Sequence, residues 1–426
     1  MTKTHKIVMA VLALPLAFAA LVMLVGAAGS EKQIEQRVER RYDTADPQFR
    51  RSLNVLLGPP IVEGNHVQAL LNGDAIFAAM LADIRKARRT ITFETYIYWS
   101  ESIGDEFAQA LAERARAGVK VHVLLDWLGS AKIDDKALEE MRAAGVEVQR
   151  YHKPEWWNLA RFNNRTHRKL LVVDGQVGFT GGVGIADQWR GNAQDADHWR
   201  DTHFRVEGPV VAQVQAVFLD NWLKSTGTVL DGDAYFPALV QRGAHAAQMF
   251  SSSPTGGSES MHLMYLMVIT AARESIRLSS AYFVPDRLTI DALIAAAKRG
   301  VKVEVITPGS DIDSEVVRRA SRALWGDLLA AGVQISEYQP TMYHCKVLVV
   351  DDLLVSVGST NFDNRSFSLN DEANLNVIDA EFARAQSAVF YDDLRKARRI
   401  TFEQWQQRPL AEKALEHAAA LLRTQL

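Results

Sequence analysis

The chain has a single cysteine, Cys345, in 426 residues. One thiol excludes an intrachain disulfide framework and any cysteine-rich metal site, and it leaves the compartment open. An excess of one charge is also missing: 48 Lys and Arg stand against 51 Asp and Glu, for a formal net charge of -3. The basic surplus of a general nucleic-acid binder is therefore lacking, no nucleic-acid partner is expected, and any anion must be held by local groups. Metal spacing is missing too: His198 and His203 lie near Asp195 and Asp201 in a pattern that matches no standard zinc site, so no metal and no cofactor are expected. Long apolar runs are scarce, with one exception at the N-terminus.

That exception is the uncharged stretch from Ile7 to Gly29, "IVMAVLALPLAFAALVMLVGAAG". As a helix it would be roughly 35 Å long, enough to cross a bilayer. Gly26, Ala27 and Ala28 would suit a cleavage site, but the apolar region is longer than a signal peptide usually carries, so residues 1–30 are expected to be a retained membrane anchor rather than a cleaved signal. Lys32, Arg37, Arg40 and Arg41 after it outnumber Lys3 and Lys6 before it, which favours a cytoplasmic body; cleavage would reverse that. Residues 31–63 read as a juxtamembrane linker, with "EKQIEQRVERRYD" at the spacing of a solvated helix and "GPPIVEGN" as a turn before the globular part.

At 48% apolar, the rest can build two packed domains or one large domain made of similar halves. The chain repeats itself. "AAMLADIRKARRTITFETYIYW" and "LMYLMVITAARESIRLSSAYFVPD" each run from a helix pattern into a strand. "LAERARAGVKVHVLLD" and "IAAAKRGVKVEVITP" each place a glycine, Gly118 or Gly300, between a helix and a β-branched strand. "ALEEMRAAGVEVQRY" then answers "ALWGDLLAAGVQISEY". Helices alternating with short apolar strands predict an α/β fold of two similar halves, each a mixed sheet flanked by helices. The expected divisions are 64–240, 241–398 and a C-terminal helical segment over 399–426. "SSSPTGGSES" is a loop near the junction, and Leu410, Leu415, Ala418 and Leu422 form a stripe expected to pack on the body.

Each half closes on a strand carrying a histidine: "THRKLLVVD" and "YHCKVLVVD". Alternation puts His167 and Lys169 on one face, as it does His344 and Lys346, while Asp174 and Asp351 fall on the opposite face at strand ends, where a turn or ion pair is the ordinary role. Beyond each strand, at a matching distance, come "GGVGIAD" and "GSTNFDNRSF", in which glycine backbone and the side chains of Ser359 and Asn361 supply donors to an anion. Two histidines, two lysines and neutral donors describe a phosphate site. They suit phosphodiester exchange, in which one imidazole attacks phosphorus while the other protonates the departing alkoxide, and lysines neutralise the phosphoryl oxygens.

At these residues the sequence resembles the phospholipase D superfamily, whose H-x-K-x4-D signature is met by His167, Lys169, Asp174 and by His344, Lys346, Asp351. "NGDAIFAAML", "ITFETYIYW", "HRKLLVVDGQVGFTGGVGIAD", "HWRDTHFRVEGP" and "GSTNFDNRSFSLNDEANL" are similar to its bacterial cardiolipin synthase branch, over roughly residues 64–426. The resemblance implies two phospholipase D-like lobes related by a pseudo-twofold axis, their motifs meeting at one site. It also implies attachment to the bacterial inner membrane and transfer of a phosphatidyl group between phosphatidylglycerol molecules, giving cardiolipin and glycerol. Phosphatidylethanolamine remains open as a second donor, and His167 is favoured as the nucleophile. The family's histidine-orienting acid matches Glu372 for the second motif and Asp201 for the first. Gly184 stands where the family pattern has asparagine, so Asn361 has no twin. Glu94, Tyr96 and Trp99 border the site or belong to a core strand. The alternatives are hydrolysis of phospholipid to phosphatidic acid, a nuclease, and a noncatalytic lipid-binding scaffold; the scaffold is disfavoured by the presence of all four histidines and lysines.

Overall fold

The computed structural model of the chain describes residues 34–151, 163–254 and 260–426. The apolar stretch Ile7–Gly29 lies outside them, and among the described residues no helix is long and apolar enough to cross a membrane.

The described strands are β1 (Val62–Leu71), β2 (Thr90–Thr95), β3 (Lys120–Asp126), β4 (Glu147–Tyr151), β5 (Arg165–Thr166), β6 (Leu170–Val173), β7 (Val177–Gly181), β8 (Thr202–Glu207), β9 (His245–Ser252), β10 (Ser275–Ser280), β11 (Phe283–Val284), β12 (Lys302–Pro308), β13 (Gln334–Tyr338), β14 (Lys346–Val350), β15 (Leu354–Gly358), β16 (Phe362–Asp363), β17 (Asn370–Ile378) and β18 (Ala397–Ile400). Sixteen of these form one mixed sheet in the order β18-β13-β12-β10-β14-β15-β17-β9-β1-β8-β7-β6-β2-β3-β4, with β5 paired off this path to β17. At its centre β1 runs antiparallel to β9. Outward from that pair the two directions mirror each other: β8, β7, β6, β2, β3, β4 on one side and β17, β15, β14, β10, β12, β13 on the other. The β2-β3-β4 and β10-β12-β13 runs are parallel. Strands β2, β3 and β12 are buried at every position except the leading lysine of β3 and β12, and Thr, Val, Ile and Leu make up most of them, as burial on both faces favours.

Helices Asn72–Lys86, Ser102–Arg116 and Asp135–Ala143 cover the first half, and Ser260–Ala271, Arg287–Lys298 and Glu315–Ala323 cover the second. Gly118 and Gly300 adopt the left-handed φ values, 88° and 92°, that let the chain leave its helix and enter β3 or β12. A further apolar cluster draws on both halves, joining Phe204, Val214 and Phe218 to Val355, Leu375 and Phe382 across the central strands.

Two local expectations are corrected. Residues 34–43 of the charged N-terminal stretch are irregular rather than helical, because Val38 and Tyr42 pack on the second half and Arg37 pairs with Asp291. The helix comes later, at Pro47–Leu56, where the Asp46 side chain caps the amide of Gln48 and Pro47 occupies the first turn. At the other end, helix Leu410–Ala420 does not dock through its leucine stripe: Leu410 and Leu415 are exposed, and the buried positions are Glu416 and Ala419. Ion pairs of Glu416 with Arg322 and Arg408 attach it instead.

Candidate active site

The histidines stand just upstream of β6 and β14 rather than within them, because the backbone there pairs with the other half of the chain. β5 pairs in parallel with Asn370 and Asp371 of β17, and the His167 amide donates to the Asp371 carbonyl at 2.9 Å. In the same way Arg200 bridges to Tyr343, and the His344 amide donates to the Arg200 carbonyl at 2.8 Å. Each histidine segment is thus held by the strand that carries an acid from the opposite half.

The acids follow that exchange. His167 Nδ1 donates to Glu372, 2.9 Å from Oε1 and 3.1 Å from Oε2. His344 Nδ1 donates to Asp201 Oδ2 at 2.7 Å. The expected assignment of Glu372 to the second motif and Asp201 to the first is therefore reversed: each carboxylate orients the histidine of the other half. Both carboxylates are fully buried. Burial acts to raise Asp201, but His344, Lys346 and the Thr202 amide outweigh it and hold the carboxyl below the usual range. Glu372 is likewise held low against burial, by His167, Lys169 and the Ser359 hydroxyl. An ionised carboxylate only accepts, so the proton lies on Nδ1 of each imidazole and Nε2 is left unprotonated. Burial lowers His167 to about 4 and His344 to about 3, with Lys169 and Lys346 respectively contributing in the same direction.

Lys169 Nζ donates to the His167 carbonyl and Lys346 Nζ to the His344 carbonyl, both at 2.7 Å. These bonds fold each lysine back beside its own histidine. One cleft is lined by His167, Lys169, His344 and Asn361. Burial pushes Lys169 down to about 7 and lowers Lys346 as well. Two poorly solvated ammonium groups beside two imidazole nitrogens form a ready receptor for an anion.

The remaining expected site residues separate. Asn361 lines the cleft, while Ser359 does not: its hydroxyl donates to Glu372 Oε2, so it supports the acid rather than a phosphate. Asp174 and Asp351, grouped with the catalytic motifs by resemblance, are roughly 20 Å along the strand from their histidines. At left-handed φ values of 53° and 54° they close turns. Asp174 accepts the amides of Arg88, Arg89 and Thr90, and Asp351 those of Arg273, Glu274 and Ser275. Glu94 is buried behind the cleft, accepting from Thr166 and Asn221.

Several cleft residues carry no motif. Trp189 and Trp199 flank the His344 ring at 5.3 and 5.4 Å, and Trp189 Nε1 donates to Asp201 Oδ2 at 3.0 Å, doing for Asp201 what Ser359 does for Glu372. Tyr96 meets the His167 ring edge-on at 5.3 Å. The position matching Ser359 in the first half is Gly182, where an added Cβ would lie 2.3 Å from Asp201 Oδ1. At Gly184, the position matching Asn361, an added Cβ would crowd Ile97 and Trp189. The Asp201 carboxylate thus explains Gly182, and Ile97 with the Trp189 ring explains Gly184. Their two-for-two offset from Ser359 and Asn361 is a signal in the sequence that the halves of the site differ.

A family model described as cardiolipin synthase, PLD-like domain, matches residues 80–222 and 265–394. Over 366 residues the chain is 37% identical to a cardiolipin synthase of Geobacillus kaustophilus (strain HTA426), covering 85% of this chain and 73% of that one. It is 36% identical over 364 residues to the major cardiolipin synthase ClsA of Bacillus subtilis (strain 168), covering 84% and 75%. Among solved structures, the phosphatidylserine synthase of Haemophilus influenzae Rd KW20 superposes with a TM-score of 0.65 at 13% identity, over 89% of this chain and 99% of that one, a likeness of fold. With both matched segments falling on the two histidine-bearing halves, the chain belongs to the cardiolipin synthase, PLD-like domain family.

Proposed function

We infer that this chain makes cardiolipin by moving a phosphatidyl group from one phosphatidylglycerol to a second through a phosphohistidine, with release of glycerol. The observation that carries the reading is the pair of buried histidines, each with its Nδ1 proton fixed by a carboxylate and its Nε2 unprotonated, lining one cleft with Lys169, while Lys346 stands beside His344. In the first step Nε2 of one histidine, assigned to His167, attacks phosphorus; the bond from phosphorus to the glycerol oxygen breaks, and the other imidazole gives that oxygen a proton. Binding of an anionic phosphodiester favours the protonated form of the second imidazole. In the second step a hydroxyl of another phosphatidylglycerol gives its proton to His344 and attacks phosphorus, and the bond from phosphorus to His167 breaks. Lys169 and Lys346 neutralise the phosphoryl oxygens, and Asn361 adds a neutral contact. Asp174 and Asp351 act at a distance, by setting the turns at the strand ends.

The mirrored strand order supports two phospholipase D-like lobes, over 64–240 and 241–398, related by a pseudo-twofold axis through the β1-β9 pair, with 399–426 as a C-terminal helical segment. The apolar residues within 1–30 support a single anchor in the bacterial inner membrane, with 31–63 as linker and the body on the cytoplasmic side. Phosphatidylethanolamine is a candidate second donor.

Full-length enzyme in vesicles of phosphatidylglycerol alone, followed by mass spectrometry, tests the reading. Cardiolipin with an equimolar yield of glycerol is the expected result. Phosphatidic acid as the sole product would overturn it in favour of hydrolysis.

A further inference from the structure

The two ends of the cleft are chemically unlike. Arg165 stands two residues before His167, and the corresponding residue before His344 is Met342. Arg365 follows Asn361 on the short helix Asn364–Ser368, and its counterpart after Gly184 is Gln188. Asn370 stands two residues before Glu372, where Trp199 stands before Asp201. One end is therefore lined by Arg165, Arg365, Asn361 and Asn370, the other by Trp189 and Trp199. The phosphate under attack lies between the two histidines and needs no such difference.

The arginine end is built to hold a second anion. Arg365 is half-buried, and its side chain donates to neutral acceptors, the Gln425 carbonyl at 2.9 Å and Asn163 at 2.9 and 3.1 Å. Among the described residues it forms no ion pair with a carboxylate. Burial lowers the Arg365 guanidinium from its ordinary value, and the neighbouring Arg165 adds to that, so the two cations are close enough to repel. Acids that face Arg365 are Asp363 and Asp126, and Asp313, which accepts from the Tyr282 hydroxyl, lines the same cleft. Asp363 and Asp126 are pushed up to about 6 by burial, and both accept backbone amides, of Ser366 in one case and of Leu128, Gly129 and Thr166 in the other. Two like charges held together beside a reaction centre are relieved by a bound anion.

The geometry points to a subsite in which Arg165 and Arg365 bind the phosphodiester of the acceptor lipid while its terminal hydroxyl attacks the phosphohistidine. This rests on the transfer reaction proposed above and adds to it the basis of acceptor choice. An acceptor with its own phosphate, one glycerol away from the attacking hydroxyl, is drawn to the arginine end; water and simple alcohols have nothing for it to hold. The accounting is unchanged: the hydroxyl proton goes to His344, the oxygen-phosphorus bond forms and the phosphorus-nitrogen bond breaks.

The test gives one enzyme two acceptors at once. Wild type, Arg165→Gln, Arg365→Gln and Arg365→Lys are assayed in phosphatidylglycerol vesicles containing ethanol, and cardiolipin and phosphatidylethanol are quantified together. Loss of one charged hydrogen-bonding partner should lower the ratio of cardiolipin to phosphatidylethanol about tenfold in either Gln variant. Arg365→Lys should recover part of that ratio. Parallel loss of both products, or an unchanged ratio, overturns the subsite. Should Arg365→Gln fail to fold because it also anchors the C-terminal residues, Arg165→Gln decides. Failure of the underlying reaction is distinguishable, because wild type would then form no cardiolipin and release phosphatidic acid, with phosphatidylethanol as its sole transfer product.

Discussion

Asp201 accepts the Nδ1 proton of His344, although the carboxylate and the imidazole come from opposite halves of the chain. The reciprocal bond joins Glu372 to His167. Neither half therefore contains a complete histidine-acid pair, and a break in the β5-β17 pairing would dismantle both the backbone support and the side-chain orientation of His167 at once.

The crossed pairing predicts which substitutions behave alike. On phosphatidylglycerol, His167→Ala, His344→Ala, Glu372→Gln and Asp201→Asn should each lower kcat by about 10²- to 10⁴-fold, the range of a lost acid-base partner. On a phosphatidyl ester of p-nitrophenol, whose leaving group needs no proton, His344→Ala and Asp201→Asn should regain most of the initial p-nitrophenolate burst. His167→Ala and Glu372→Gln should not. Rapid-mixing absorbance measurements check this, and Asp201→Asn grouping with His167→Ala would refute the crossed arrangement.

A pH profile should report Lys169. Burial brings its ammonium down to about 7, so the charge is present below that pH and is lost as pH rises through it. kcat/KM for phosphatidylglycerol should accordingly fall on the alkaline side of about pH 7. His167, lowered to about 4, keeps its nucleophilic nitrogen unprotonated above that pH, so it does not set the alkaline limb. Arginine stays charged throughout, so Lys169→Arg should carry the alkaline limb upward by more than one pH unit even where it lowers the maximum. An alkaline limb that does not move in this variant would assign it to another group.

Much of the fold was legible because the repeat is local: a helix, a glycine such as Gly118 or Gly300, and a β-branched strand specify one unit, and the same order of units recurs. His167 with Lys169 and His344 with Lys346 were legible for the same reason. What escaped the sequence is long-range. Nothing near Glu372 says that its partner lies more than two hundred residues upstream; only the parallel pairing of Arg165 and Thr166 with Asn370 and Asp371 brings them together. Ser359 looked like an anion donor because a hydroxyl beside glycine suits either role, and only the buried Glu372 carboxylate beside it decides the matter. Trp189 and Trp199 lie in a segment whose length has no equal in the second half, so the repeat could not place them. The leucine stripe near the C-terminus misled because its helix attaches through Glu416 and two arginines, which periodicity ranks as the wet face.

The motif aspartates should prove to be supports of the fold. Asp174 and Asp351 each collect three backbone amides at a left-handed position that asparagine also tolerates. Removing such a charged acceptor should cost about 2–3 kcal/mol in Asp174→Ala or Asp351→Ala, and less in the Asn variants. Denaturant unfolding measures that loss. Turnover per folded molecule, assayed well below the unfolding temperature, should change by less than about threefold. A loss of turnover like that of His167→Ala in fully folded protein would instead return the aspartates to the chemistry.

Making the halves of the site alike should damage it. Gly182 is the first-half counterpart of Ser359, and a Cβ there would lie 2.3 Å from Asp201 Oδ1 and 2.7 Å from Oδ2. Asp201 has little room to yield, since Trp189 Nε1 and the Thr202 amide hold the same carboxylate at 3.0 and 2.8 Å. Gly182→Ser should therefore push the acid off His344 and lower kcat about a hundredfold, with KM little changed, because the lost interaction orients a base rather than binding substrate. The reverse exchange, Ser359→Gly, opens space and removes one hydrogen bond to Glu372, a loss of about 1 kcal/mol and thus roughly fivefold in rate. Equal effects of the two substitutions would mean that Asp201 is free to move, and that the glycine answers to backbone geometry instead of to the carboxylate beside it.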